Sequence, residues 1–272
     1  PFFGGEGPDR AACIACGACM MGCRHNAKNT LVKNYLWFAE KLGVKIDPLR
    51  TVTDIQPIRG KDGRRDGSAG YEVTSVKSGA WFFRGKRTER ARGIVISAGT
   101  YGTNKLLMNC KLSGSLPRIS HRLGKLVRTN SEAILAVTSK DDNVDYSTSV
   151  AISSSFFPDE DTHIENVTYG HGGDAMGRSF MPLTGEGNKI TRPLKFLAAA
   201  TRHPLDVARL LAAYHWSRRT VILLVMQTLD NSLSLNPKKN FWGGHRLTTE
   251  EDAENPNPRF IPAANRAAEL TA

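Results

Sequence analysis

Apolar side chains at Leu31, Val32, Tyr35, Leu36, Phe38, Ala39 and Leu42 recur at the period of one helix face. Asn29 or Thr30 stands in front as a cap and Gly43 follows as a stop, so the spacing predicts a helix over 31–42. Beyond it the pattern shortens. Residues 44–46 and 51–58 read as short strands joined at Asp47-Pro48, and 60–70 as a glycine-rich charged loop. Residues 71–76 and 80–83 read as a hairpin around 77–79. The β-branched run 93–97, Gly-Ile-Val-Ile-Ser, leads through Ala98-Gly99-Thr100-Tyr101-Gly102-Thr103 into a helix over 104–111. From Glu132 onward the texture changes. Strands of an antiparallel sheet are expected at 133–138, 147–154 and 162–169, then two helical stretches over 191–216 split at His203-Pro204. A strongly apolar strand at 220–228 turns near Asp230-Asn231 into a second strand at 232–235, and the tail from Asn255 is rich in Pro and Ala. The expected class is α/β at first, then mostly β with helices, an α+β arrangement.

Composition narrows the setting. The 272 residues are 40% hydrophobic and 23% charged, which suits a globular chain and excludes a disordered or collagenous one. The longest apolar runs, such as 221–226, are too short to span a bilayer. The net charge of +11 comes from scattered basic residues without a block, so it describes either a solvated basic surface or one facing anionic lipid. A nucleic-acid partner has nothing but net charge behind it. The chain opens at Pro1 with no signal-like segment, which leads us to expect a processed product or an internal fragment. A cytoplasmic or membrane-peripheral location is expected with it.

Four of five cysteines form one run. Cys13, Cys16, Cys19 and Cys23 give C-x2-C-x2-C-x3-C, the spacing of a bacterial ferredoxin cluster. Arg24 stands where that pattern has Pro, and there is one run rather than two. An iron–sulfur cluster, a zinc site and unmetallated packing thiols near a cofactor remain the alternatives, with Cys110 either a distant ligand or a buried small hydrophobe. Gly99 and Gly102 offer two readings as well: a strand–loop–helix turn that presents N–H groups to a phosphate or cofactor edge, or a tight turn alone. His163 and Glu165 share one face of a strand and form either a pocket lining or a surface pair. His171 falls in a glycine-rich turn and is expected to be exposed, while Tyr214 and Trp216 are expected in the core. Arg192, Lys195, Arg202, Arg209, Arg218 and Arg219 flank apolar helical stretches, a pattern that also suits a lipid surface.

The segment Gly22-Cys23-Arg24-His25-Asn26-Ala27-Lys28-Asn29-Thr30-Leu31, with Asn34-Tyr35-Leu36 and Ala39, resembles the glucose–methanol–choline oxidoreductases, above all their bacterial cholesterol-oxidase-like branch. Ile96 to Thr103 with Leu106-Leu107, Leu116-Pro117 to Leu123-Gly124 with Thr129-Asn130, and Asn255 to Pro262 continue the match in the family's order. The resemblance implies an FAD enzyme that takes hydride from a CH–OH group, with a Rossmann-like flavin domain and an inserted antiparallel-sheet substrate domain. It implies a flavin-domain part at 1–128, a substrate domain at 129–240 and a return to the flavin domain at 241–272. It places Val52 at the adenine, Ala98 and Gly99 in the loop against the cofactor, and Asn130 near the flavin ring. The implied substrate is a small alcohol or sterol, with oxygen or a carrier as electron acceptor. The family's dinucleotide fingerprint is not in the sequence, and its catalytic His is expected beyond Ala272, so the active site is expected to be incomplete. His245 follows a Gly-Gly pair instead of preceding one and is not assigned as the base. Where steroid-isomerising relatives carry a Glu, Arg218-Arg219-Thr220 stands here, which argues against isomerisation.

Overall fold

The computed structural model describes residues 2–241 and 244–272, so of the glycine pair before His245 only Gly244 is described. The chain is mixed α/β, and every strand pairing among the described residues is antiparallel. It forms two compact units. One gathers residues up to Val44, Asn130–Leu229 and Pro258–Ala272; the other holds Lys45–Thr129 and Asp230–Asn257.

In the first unit, helix α1 (Tyr35–Lys41) precedes a four-stranded sheet. The sheet is built from β4 (Ala133–Thr138), β5 (Ile152–Phe156), β6 (Thr162–Val167) and β7 (Thr220–Gln227), in the order β4-β7-β6-β5. Helices α3 (Thr191–Arg202), α4 (Pro204–Ala212) and α5 (Trp216–Arg219) lie between β6 and β7 in the chain, and α6 (Pro262–Thr271) comes last. Alternation along the central strands sends side chains to both faces. Leu135, Val221, Leu223, Val225 and Ile164 meet α6, whose Ala264, Ala267 and Ala268 let the helix approach closely. On the other face Ile222 and Val167 pack with Trp216, which is 2% exposed and stacks on Phe180 at 5.4 Å.

The second unit holds β1 (Arg50–Pro57), β2 (Tyr71–Lys77) and β3 (Arg87–Ala91) in an antiparallel meander. Helix α2 (Gly99–Ser113) packs on β1, with Met108 and Cys110 buried, as are Ile55 and Val76 of the strands. A hairpin of β8 (Leu233–Lys239) and β9 (His245–Glu251) completes it. Gly124, at φ +81, crosses so close to Leu235 that a side chain there would strike both the Leu235 carbonyl and Met108.

Several expectations change. The helix expected over 31–42 starts at Tyr35, because Asn34 leaves helical geometry (φ −140, ψ −106) and its own side chain accepts the Tyr35 N–H. Leu31 to Lys33 form only a 3-10 turn. No strand forms at 44–46 or 80–83. The return strand of the hairpin is the polar 87–91, held by Arg90 on Glu72 at 2.8 Å, while Trp81, Phe82 and Phe83 stay exposed. The run 93–97 is not a strand: no described strand lies beside it, and Val95 is 91% exposed. A parallel Rossmann sheet is therefore not formed by the described residues. The strand expected at 147–154 begins only at Ile152, and 232–235 pairs with β9 rather than with the apolar strand before it.

Candidate functional site

Helix α2 begins without a cap. Ala98 makes no side-chain cap bond, no acidic residue lies in the first turn, and Gly99 takes φ +67. A side chain added at Gly99 would meet nothing within 4 Å, so there is open space beside this residue. Unpaired N–H groups and the positive end of the helix dipole favour an anion or a carbonyl edge there. The left-handed backbone at Gly99 makes the turn itself, as the tight-turn reading of the glycine loop expects. Val52 lies on β1 opposite Ser75 and is 39% exposed. Asn130 is exposed just before β4; its carbonyl accepts the Gln227 N–H at 2.9 Å and its amide donates to Glu132 at 2.9 Å. Val52, Ala98 and Gly99 belong to the second unit and Asn130 to the first.

The first unit has a groove that sequence reasoning missed. It runs along the free edge of β4 with a volume of about 670 Å³ and is walled by Leu135, Met181, Leu183, Phe196, Phe260 and Ile261. A second hollow of about 520 Å³ shares Ile134, Leu135 and 181–183 with it and reaches Leu210 and Trp216. Both fall in the range of about 300–1,000 Å³ common to small-molecule sites. Polar groups are few at the rim: Asn265 donates to the Thr184 carbonyl at 3.3 Å and Arg192 to the Arg259 carbonyl at 3.4 Å. The groove had no local sequence signal, because its walls come from four separated segments.

The sequence-flagged histidines lie elsewhere. His163 stacks on Phe157 at 4.4 Å and lines neither hollow, which does not support the pocket-lining reading of it. His171 is exposed, as expected, and its Nε2 meets Asp145 at 3.0 Å. Asp145 also accepts from the Ser147 hydroxyl at 2.5 Å and from Arg218 at 3.2 Å. The Ser147 bond above all holds its carboxyl down at about 2. A depressed carboxyl stabilises the fold above its unfolded value near 3.9 and stops doing so as pH falls through about 2. Asp145→Asn should therefore lower stability by about 1–2 kcal/mol at pH 7, and the gap to wild type should close near pH 2, read by urea unfolding at several pH values.

All five cysteines are free thiols. Among the described residues no group of three or more His, Cys, Asp or Glu is placed to hold a metal ion, so the iron–sulfur and zinc readings of Cys13, Cys16, Cys19 and Cys23 gain no support. Cys110 is wholly buried and burial pushes its thiol up to about 11, the behaviour of a packing residue rather than a ligand.

No protein-family model matches the chain. The chain is similar throughout to proteins named cholesterol oxidase. It is 46% identical over 273 residues to one from Acinetobacter baumannii, covering 100% of this chain and 48% of that protein. It is 44% identical over 272 residues to one from Mycobacterium tuberculosis, covering 98% of this chain and 46% of that protein. The chain thus spans about half the length of the curated relatives it matches. Among the described residues no helix is long and apolar enough to cross a membrane.

Proposed function

We propose that the protein is an FAD-dependent oxidoreductase of the glucose–methanol–choline type that oxidises the CH–OH group of a sterol, with oxygen as acceptor. The observation that carries this is the 46% and 44% identity to cholesterol oxidases along the entire chain. On this reading 1–128 contributes to the flavin domain, 129–240 to the substrate domain and 241–272 to the return.

The uncapped start of α2 at Ala98 and Gly99 supports a flavin cofactor there, since a helix N-terminus carries backbone donors of the kind such a group needs. Bound FAD would accept the hydride from the carbinol carbon. The chain's own part is positional. Ala98 and Gly99 would hold the cofactor edge through backbone N–H groups, Val52 would contact the adenine, and the resemblance gives Asn130 a role at the ring. The groove beside β4 takes the apolar sterol body and excludes water from it. No residue of this chain is assigned as the base. Arg219, 8% exposed and paired with Asp142 at 2.8 Å, is a structural cation at the place where an isomerising Glu would stand, so isomerisation is not part of the proposal. Leu194, Leu197 and Leu205 are exposed on α3 and α4 beside Arg192, Lys195 and Arg202, which suits peripheral contact with an anionic bilayer; co-sedimentation with anionic vesicles reads that contact.

The test is direct. Full-length protein should carry flavin absorbance and release peroxide from cholesterol at an enzyme-like rate, on the order of 1 per second or more. Protein that folds, binds no flavin and leaves cholesterol untouched would overturn the proposal.

A further inference from the structure

The positive charge of the chain forms no block in the sequence, yet it belongs almost wholly to one unit. Residues 45–129, all in the second unit, hold 18 Lys and Arg against 6 Asp and Glu, whereas the rest of the chain holds 19 against 20. Within this basic segment the loop between β2 and β3 lifts three consecutive aromatic side chains into solvent. Trp81 is 90% exposed, Phe82 88% and Phe83 94%. The loop is firmly built all the same. The Lys77 N–H donates to the Arg84 carbonyl at 2.7 Å and closes it. The Ser78 N–H donates to the Leu49 carbonyl at 2.8 Å, and the Arg50 guanidinium donates to the Gly85 carbonyl at 3.0 Å. Leu49, tied to the loop by that bond, is itself 81% exposed. Lys77, Arg84 and Lys86 flank the aromatics and are exposed. They pair with no carboxylate among the described residues, whereas Arg87 and Arg90 beyond them pair with Asp47 and Glu72.

We propose that this loop is a membrane-docking tip: Trp81, Phe82 and Phe83 enter the interface of an anionic bilayer while Lys77, Arg84 and Lys86 meet its phosphates. Aromatic side chains of this kind partition into the boundary between headgroups and acyl chains. Cations beside an anionic leaflet add an attraction that salt screens. The exposed Leu49 next to the rings suits acyl chains and does nothing for stacking on bases. The rings also stand at a hairpin tip rather than along a groove, so a nucleic-acid strand fits this surface less well. Because backbone bonds hold the loop in shape, little ordering is lost on docking. The tip lies in the other unit from α3 and α4 and acts separately from them. The proposal does not rest on the sterol reading, since it is read by binding and not by turnover.

Full-length protein is mixed with vesicles of phosphatidylcholine alone, or of phosphatidylcholine with phosphatidylglycerol, and sedimented. Binding should be about tenfold or more tighter on the mixed vesicles, and high salt should remove most of that gain. The triple variant Trp81→Ser, Phe82→Ser, Phe83→Ser leaves α3 and α4 untouched and should bind about tenfold or more weakly. Changing Lys77, Arg84 and Lys86 together to Gln should remove most of the preference for anionic lipid. Brominated acyl chains should quench the emission of the wild type. Trp81→Phe, which keeps an apolar ring at an exposed site, should lose most of that quenching and still bind. Undiminished binding by the serine triple, as when another part of the full-length protein or a second copy covers the loop, would overturn the proposal. So would quenching that survives Trp81→Phe, or a wild type that binds a single-stranded oligonucleotide and ignores the vesicles. The Trp81→Phe measurement decides even if the serine triple fails to fold.

Discussion

Trp216→Ala should lower the stability of the protein by about 4 kcal/mol, the cost of emptying a large, fully packed aromatic site. The indole is 2% exposed and fills the face of the sheet away from α6. Its neighbours cannot close the gap. Phe180 stacks on it, Tyr169 tilts against it at 6.2 Å, and Gly177 is so close that a side chain there would lie 2.7 Å from the ring. The adjoining Ser217 is itself fixed, its N–H and hydroxyl both donating to Asp174 at 2.8 and 2.7 Å. Trp216→Phe should cost much less, since it keeps a ring and removes an indole N–H that has no partner. Urea midpoints of the two variants and wild type give the comparison; an Ala variant within about 1 kcal/mol of wild type would contradict this packing.

Gly17→Ala should cost about 3 kcal/mol for two additive reasons. Gly17 takes φ +67, a conformation that side chains strain to adopt. A side chain there would also run into the backbone carbonyl of Ser147, which cannot swing aside. This is where the cysteine run packs within the first unit: the Gly17 N–H donates to the Ser149 carbonyl at 2.6 Å, and Gly170 faces Cys16 with no room for a side chain. The loss should appear in thermal unfolding and as faster proteolysis within 11–24. Unchanged protection of that stretch would show that the contact is not made.

How much of this was legible depends on how local each signal was. β4, β6, β7 and the break between α3 and α4 are visible in the sequence because alternation and a proline act within a few residues. The run 93–97 has the composition of a buried strand, but a strand also needs neighbours, and none lies beside it among the described residues. The polar β3 and β9 lack an apolar signature and are made strands by cross-strand partners such as Arg90 with Glu72 and Asn236 with Glu250. Helix α6 was hidden because alanine reads as filler, although three alanines are its buried face. At the candidate site the glycine turn could be read from residue types. The groove could not, since nothing in one segment records what three others bring to it.

The order in which the chain is made has a consequence for how the first unit matures. β4 is synthesised well before α6, yet its inward face is covered by that helix. Between them the chain lays down all of β8 and β9, which belong to the other unit. During elongation at about 5–20 residues per second, the row Leu135, Val221, Leu223 and Val225 therefore waits several seconds without its cover. Long-range closures of this kind fold slowly, and an apolar sheet face with a free edge is what a chaperone binds in the interval.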